Sequence, residues 1–79
     1  MDTEPRAIRA ALAQLSGWIT TGQARELREH AHMSRLSVAA EMQVWPSTIA
    51  RWEAGERTPR GRSAIEYYTF LAGLLAERP

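Results

Sequence analysis

The sequence predicts an all-α fold of five helices in a single domain spanning residues 1–79. Apolar side chains recur at helical spacing, and Pro, Gly, Ser and Thr separate the helical stretches. The hydrophobic fraction of 44% is enough for one modest core, and the chain has no cysteine to form disulfides. No apolar run reaches the ~18 residues of a membrane span and no signal-peptide pattern is present, so we expect a cytoplasmic protein.

The first predicted helix covers residues 4–16. Thr3 supplies a capping hydroxyl, Pro5 suits the first turn, and Gly17 is expected to end the helix. Trp18 then lies in a short connector and is expected to be buried. We expect the helix to cover the core, and pairing with a partner chain is the alternative.

The second helix begins at a capping box formed by Thr20 and Gln23 and runs to about Ala31. Arg28 falls on its inward face, where a guanidinium needs a carboxylate partner. Glu53 lies on the inward face of a later helix. We therefore expect Arg28 and Glu53 to form a structural ion pair.

Two short helices joined by a tight connection follow, over residues 35–54, and this arrangement is typical of a helix-turn-helix unit. Ser34 caps the first helix, and the connection at Gln43 leads into the second, over residues 46–54. The outward face of the second helix carries small side chains and one long cation, which suits close approach to the major groove of DNA. These residues are Pro46, Ser47, Ala50 and Arg51.

Positive charge is concentrated around the same helix, although the formal net charge of the chain is only +1. Residues 46–62 carry four arginines and two glutamates. The alternative, that a GC-rich genome prefers arginine codons, would account for ten basic residues that are all arginine, but not for this clustering. The excess predicts contact with nucleic acid. The arginines are Arg51, Arg57, Arg60 and Arg62.

The last predicted helix covers residues 63–77 and begins at a second capping box, formed by Ser63 and Glu66. It is apolar over more than half of its circumference, which exceeds what one small core needs. The surplus is expected to pack on the first helix or to form a homodimer interface. The residues spaced to face the core are Ile65, Tyr68, Leu71, Ala72 and Leu75. A second apolar flank is formed by Tyr67, Phe70 and Leu74.

The middle of the chain carries a dense pattern of residues around the two short helices: Leu27-Arg28-Glu29, Met33-Ser34, Ala39, Val44, Ser47-Thr48-Ile49, Arg51-Trp52-Glu53 and Gly55. With this pattern the chain resembles the Xre/Cro family of helix-turn-helix proteins, the phage-repressor and Cro type. The resemblance covers about residues 22–75 without a gap and implies a phage-repressor-like bundle, here of five helices with the additional N-terminal helix counted. The segment Pro59-Arg60-Gly61 before a Tyr-bearing helix is similar to versions from actinobacteria and their phages.

The resemblance, together with the charge pattern, assigns expected roles to individual residues. DNA-base contacts are expected from Ser47, Arg51, Pro46 and Ala50. DNA-backbone contacts are expected from Arg35, Trp45, Arg57, Arg60 and Arg62. Arg28 and Glu53 match the internal ion pair of the family, and Thr48, Ile49 and Trp52 match its core-facing positions. The alternatives are an ion pair of Arg51 with Glu53 or another acid, a capping role for Ser47, and arginines that only solubilise the surface.

Three positions depart from the family pattern. Gln43 stands where the turn usually holds Gly, so a left-handed backbone there costs on the order of 1 kcal/mol. Trp45 replaces the usual Ser or Thr cap, and it lies either against the sugar-phosphate wall or in the core. Pro46 and Ala50 replace side chains that often read bases, so fewer direct base contacts are expected.

We expect a Cro-like repressor of a phage or prophage that binds double-stranded operator DNA, as a homodimer completed on DNA. An excision or architectural factor is one alternative. Another is an antitoxin or adaptor with an exposed apolar patch around Ile8, Leu12 and Leu74. Neither an enzyme nor a cofactor or small-molecule ligand is expected, because the sequence shows no catalytic constellation. His30 and His32 diverge on a helix, so no metal site is expected either.

Overall fold

The computed structural model describes residues 4–78, which form five α-helices and no β-strand. The all-α prediction with five helices is therefore confirmed. None of these helices is both long enough and apolar enough to cross a membrane. The helices are α1 (Pro5–Thr21), α2 (Gln23–His30), α3 (Arg35–Met42), α4 (Pro46–Ala54) and α5 (Gly61–Glu77).

One hydrophobic core takes side chains from all five helices. α3 packs on α4 as the helix-turn-helix pair. α1 packs against both α2 and α5. The small Ala39 is buried where α3 meets α4, and its carbonyl accepts a hydrogen bond from the Val44 N–H at 3.0 Å. The core consists of Leu15, Trp18, Ala24, Leu27, Val38, Ala39, Ile49, Trp52, Ala64, Tyr67 and Leu71.

The first helix ends later than the sequence predicted. Gly17 lies inside α1, and the chain leaves the helix at Gly22, whose φ of +83° is left-handed. Trp18 is therefore on the helix and not in a connector. Its buried indole stacks on Tyr68 of α5 with ring centroids 5.4 Å apart. This packing offsets the roughly 0.5–1 kcal/mol that a glycine costs inside a helix.

Both predicted capping boxes are wrong. Thr20 does not cap α2, because α1 continues through it and Gly22 occupies the N-cap position. Ser63 does not cap α5, because that helix begins earlier, at Gly61, with Arg60 as an N-cap that makes no side-chain hydrogen bond. Ser63 is therefore already inside the helix.

The ends of α3 and α4 follow the prediction. The Ser34 hydroxyl caps α3 by accepting a hydrogen bond from the Ser37 N–H at 3.0 Å. Gln43 ends α3 with a left-handed φ of +57°, and Gly55 ends α4 with a φ of +74°. Pro46 occupies the first turn of α4, where its missing N–H costs nothing.

The left-handed backbone of Gln43 predicts that Gln43→Gly stabilises the chain. Glycine tolerates a φ of +57°, whereas a side chain there is strained, so the free energy of unfolding should rise by about 0.5–1 kcal/mol. Urea denaturation measures this difference. Gln43→Ala is the control and should give no such gain, because alanine keeps the Cβ that causes the strain. A loss of stability in Gln43→Gly would contradict the prediction.

The inward face of α5 is centred on Tyr67, which belongs to the second apolar flank of the predicted helix and not to its predicted core face. Tyr67 is buried and packs against Trp52 of α4, with ring centroids 4.8 Å apart. Leu71 is buried as predicted, whereas Ile65 is 36% exposed. The reason is that α5 packs against both α1 and α2, which turns Tyr67 inward to the Trp52 side chain of α4.

Candidate nucleic-acid interface

α4 is held to the core by one face and presents the opposite face outward. Ile49 and Trp52 are buried, and they fix the rotation of the helix about its axis. Ser47 and Arg51 are exposed on the other side. Pro46 and Ala50 are half-buried and complete this outward face. The structure thus brings together the four residues predicted to contact bases.

Arg51 stands on this face without a carboxylate partner among residues 4–78. The alternative of an Arg51–Glu53 pair is not realised, because the carboxylate of Glu53 binds Arg28 and Arg35 instead. The guanidinium of Arg51 is therefore available to an external acceptor.

Trp45 stands at the leading end of α4. It occupies the N-cap position with an extended backbone and makes no side-chain cap hydrogen bond. Its side chain is outside the core, and the residue is 78% exposed. The core alternative for Trp45 is therefore wrong, and an aromatic surface is left beside the outward face of α4.

The loop after α4 brings further arginines to the same side. Arg57 and Arg60 line a groove together with Arg51, whereas Arg62 is exposed but does not line that groove. The N–H of Arg57 donates to the carbonyl of Arg51 at 3.3 Å, which ties the loop to the end of α4. Pro59 is buried beneath the loop, beside α1. The loop is therefore anchored to α4 through the backbone of Arg57 and to α1 through Pro59, while its arginines stay exposed.

Arg28 and Glu53 lie together as the sequence predicted. The Nε of Arg28 donates to Oε2 of Glu53 at 2.6 Å, and its Nη2 donates to Oε1 at 3.1 Å. The Arg28 side chain is 10% exposed and that of Glu53 only 3%. Hydrogen bonding to Glu53 raises the pKa of Arg28 and outweighs the opposite effect of burial. Arg28 therefore stays charged.

Sequence analysis did not predict a third member of this cluster. The Nε of Arg35, in the first turn of α3, donates to Oε1 of Glu53 at 3.1 Å. This contact depends on how α3 crosses α4, so no spacing rule along one helix could have found it. Burial raises the pKa of the Tyr67 hydroxyl well above its ordinary value, and the negative charge of the nearby Glu53 carboxylate raises it further.

The fold and this face together define a DNA-binding helix-turn-helix protein. A family model described as Helix-turn-helix matches residues 25–67, from the start of α2 into α5. The chain therefore belongs to the Xre-type helix-turn-helix family, whose domain is that of DNA-binding regulators. No curated protein and no solved structure matches the chain. The whole of α1 lies outside the matched residues.

Proposed function

We propose that this DNA-binding regulator is a Cro-like repressor of a phage or prophage, which occupies an operator by inserting α4 into the major groove. One observation carries the proposal: α4 presents small side chains and Arg51 outward, with no ion-pair partner for Arg51 within residues 4–78, while Ile49 and Trp52 anchor its other face. Small side chains allow the close backbone approach that groove entry requires.

Base recognition is assigned chiefly to Arg51. A bidentate contact from arginine to guanine O6 and N7 contributes about 1–3 kcal/mol of discrimination. Ser47 lies one helical turn earlier on the exposed face and can donate to a base or a phosphate. Pro46 and Ala50 have no polar side-chain atoms, so they can contribute only shape and apolar contact, such as contact with a thymine methyl group.

Backbone contacts are assigned to the residues around α4. Arg57 and Arg60 share the groove with Arg51, and Arg62 follows them in the first turn of α5. Trp45 would pack against the sugar-phosphate wall, and Arg35 would meet a phosphate from the start of α3. Such contacts set position and register and carry no sequence information directly.

Arg60→Ala is expected to weaken binding to all DNA sequences alike. Removing one phosphate contact should lower the magnitude of the slope of log K against log salt by about 1. Fluorescence anisotropy with duplex DNA at several salt concentrations measures this slope. Arg25→Ala is the matched control, because Arg25 is an exposed arginine on α2. An unchanged slope for Arg60→Ala would remove Arg60 from the interface.

We also propose that the chain binds a two-fold operator as a homodimer, with half-sites about one helical turn apart. Leu12 on α1 and Ile65 on α5 are large apolar side chains that stay exposed, which favours an interface on these helices. Sedimentation of the chain with a duplex carrying one half-site or two tests this proposal. Filling of the two-site duplex at chain concentrations that leave the one-site duplex mostly free would support pairing on DNA, and equal affinity per half-site on both duplexes would contradict it.

An excision or architectural factor is the second candidate, favoured by the shortage of polar side chains on the outward face of α4. Such a factor bends DNA while reading less of its sequence. Gel mobility of duplexes with the site at the end or in the centre measures bending. The adaptor alternative is less well supported: of the three residues expected in its apolar patch only Leu12 is exposed, whereas Leu74 packs against the core and Ile8 is half-buried.

A further inference from the structure

The carboxylate of Glu53 serves two arginines at once. Its Oε2 accepts from Arg28 at 2.6 Å, and its Oε1 accepts from Arg28 and from Arg35, each at 3.1 Å. One negative charge therefore faces two positive charges. Arg28 alone neutralises the buried carboxylate, so the charge of Arg35 is in excess at this cluster.

The two arginines use their donors differently. All three nitrogens of the Arg28 guanidinium are engaged, because its Nη1 also donates to the carbonyl of Met33 at 2.9 Å. Arg35 engages only Nε, and within residues 4–78 its two Nη groups make no hydrogen bond. The Arg35 side chain is 42% exposed, against 10% for Arg28. Arg28 is thus bound at each of its three nitrogens inside the fold, whereas Arg35 is partly exposed and its Nη donors have no acceptor among the described residues.

We infer that Glu53 is a positioning residue for DNA binding, which holds Arg35 so that its two Nη groups meet a backbone phosphate. The inference rests on the proposed function. A hydrogen bond at Nε restrains the plane of the guanidinium, and a planar fork with free Nη donors matches phosphate geometry. Restraining a flexible side chain before binding removes part of the entropic cost of ordering it on DNA.

This role gives Glu53 an effect of unusual sign. An acid near DNA ordinarily repels the phosphates, so its neutralisation should strengthen binding. If Glu53 orients Arg35, neutralisation instead weakens binding, and it does so only while Arg35 is present. The dependence on Arg35 separates a positioning role from a general contribution of Glu53 to the fold.

A double-mutant cycle on DNA affinity tests the inference. Wild type, Arg35→Ala, Glu53→Gln and the double variant are titrated with a random-sequence duplex at low salt, at a temperature where circular dichroism shows each folded. We expect Glu53→Gln to weaken binding about fivefold when Arg35 is present and less than about twofold when it is absent. Arg25 and Glu29 provide the matched control: they form an exposed ion pair at 3.1 Å on α2, and their cycle should be additive.

A second variant covers the case in which Glu53→Gln does not fold. Arg35→Lys keeps the positive charge, but its single ammonium cannot hold Glu53 along one edge and present a fork to phosphate along another. We expect about threefold weaker binding with an almost unchanged salt slope. Wild-type affinity in Arg35→Lys would overturn the inference, as would an equal effect of Glu53→Gln in both backgrounds. Absence of any wild-type binding would instead overturn the proposed function and the inference with it.

Discussion

Glu53→Ala is expected to lower the free energy of unfolding by about 3 kcal/mol. The change removes the carboxylate that accepts two hydrogen bonds from Arg28 and leaves that guanidinium buried without a counter-ion. Arg28 cannot escape the cost by losing its proton, because the pKa of an arginine is far above the range in which proteins are stable. Thermal and urea denaturation measure the loss.

Glu29→Ala is the control for this experiment. Glu29 also pairs with an arginine, Arg25, but both side chains are at least half exposed, and such pairs contribute about 0.3–0.5 kcal/mol. A melting temperature of Glu53→Ala within a degree of the wild type would contradict the structural role of the Arg28–Glu53 pair.

Arg51→Ala is expected to abolish the preference for the cognate operator while binding to random DNA at low salt is largely retained. Loss of a bidentate guanine contact worth about 1–3 kcal/mol corresponds to roughly 5- to 150-fold in specific affinity. Non-specific binding depends mainly on phosphate contacts, which we assign to the other arginines and which the change leaves in place. Competition between operator and random duplexes measures the ratio.

Arg60→Ala is the natural comparison for Arg51→Ala, because both arginines line the same groove but only Arg51 lies on α4. We expect Arg60→Ala to weaken binding to both duplexes equally and to leave the ratio of the two affinities intact. An equal loss on both duplexes for Arg51→Ala would show that Arg51 contacts only phosphate.

The helix-turn-helix unit was predictable because its signals are local. Ser34 caps α3, Pro46 begins α4 and Gly55 ends it, each through a side-chain or backbone preference that acts within a few residues. The Arg28–Glu53 pair was also predictable, since two charges on inward faces require each other.

The errors occurred where packing overrides local preference. Gly17 is a weak helix former, yet α1 passes through it because Trp18 stacks on Tyr68 one residue later. The Arg35–Glu53 contact and the central position of Tyr67 depend on how helices cross, which periodicity along one helix does not specify. The left-handed backbone of His32 likewise gave no signal in the sequence.

Sequence-specific repression is tested most directly by measuring how the purified chain binds DNA upstream of its own gene and random-sequence DNA, each at two salt concentrations. An autoregulatory repressor that reads bases through Arg51 should bind the upstream DNA far more tightly and with less salt sensitivity. Equal and steeply salt-dependent binding to both duplexes would contradict sequence-specific repression at this site.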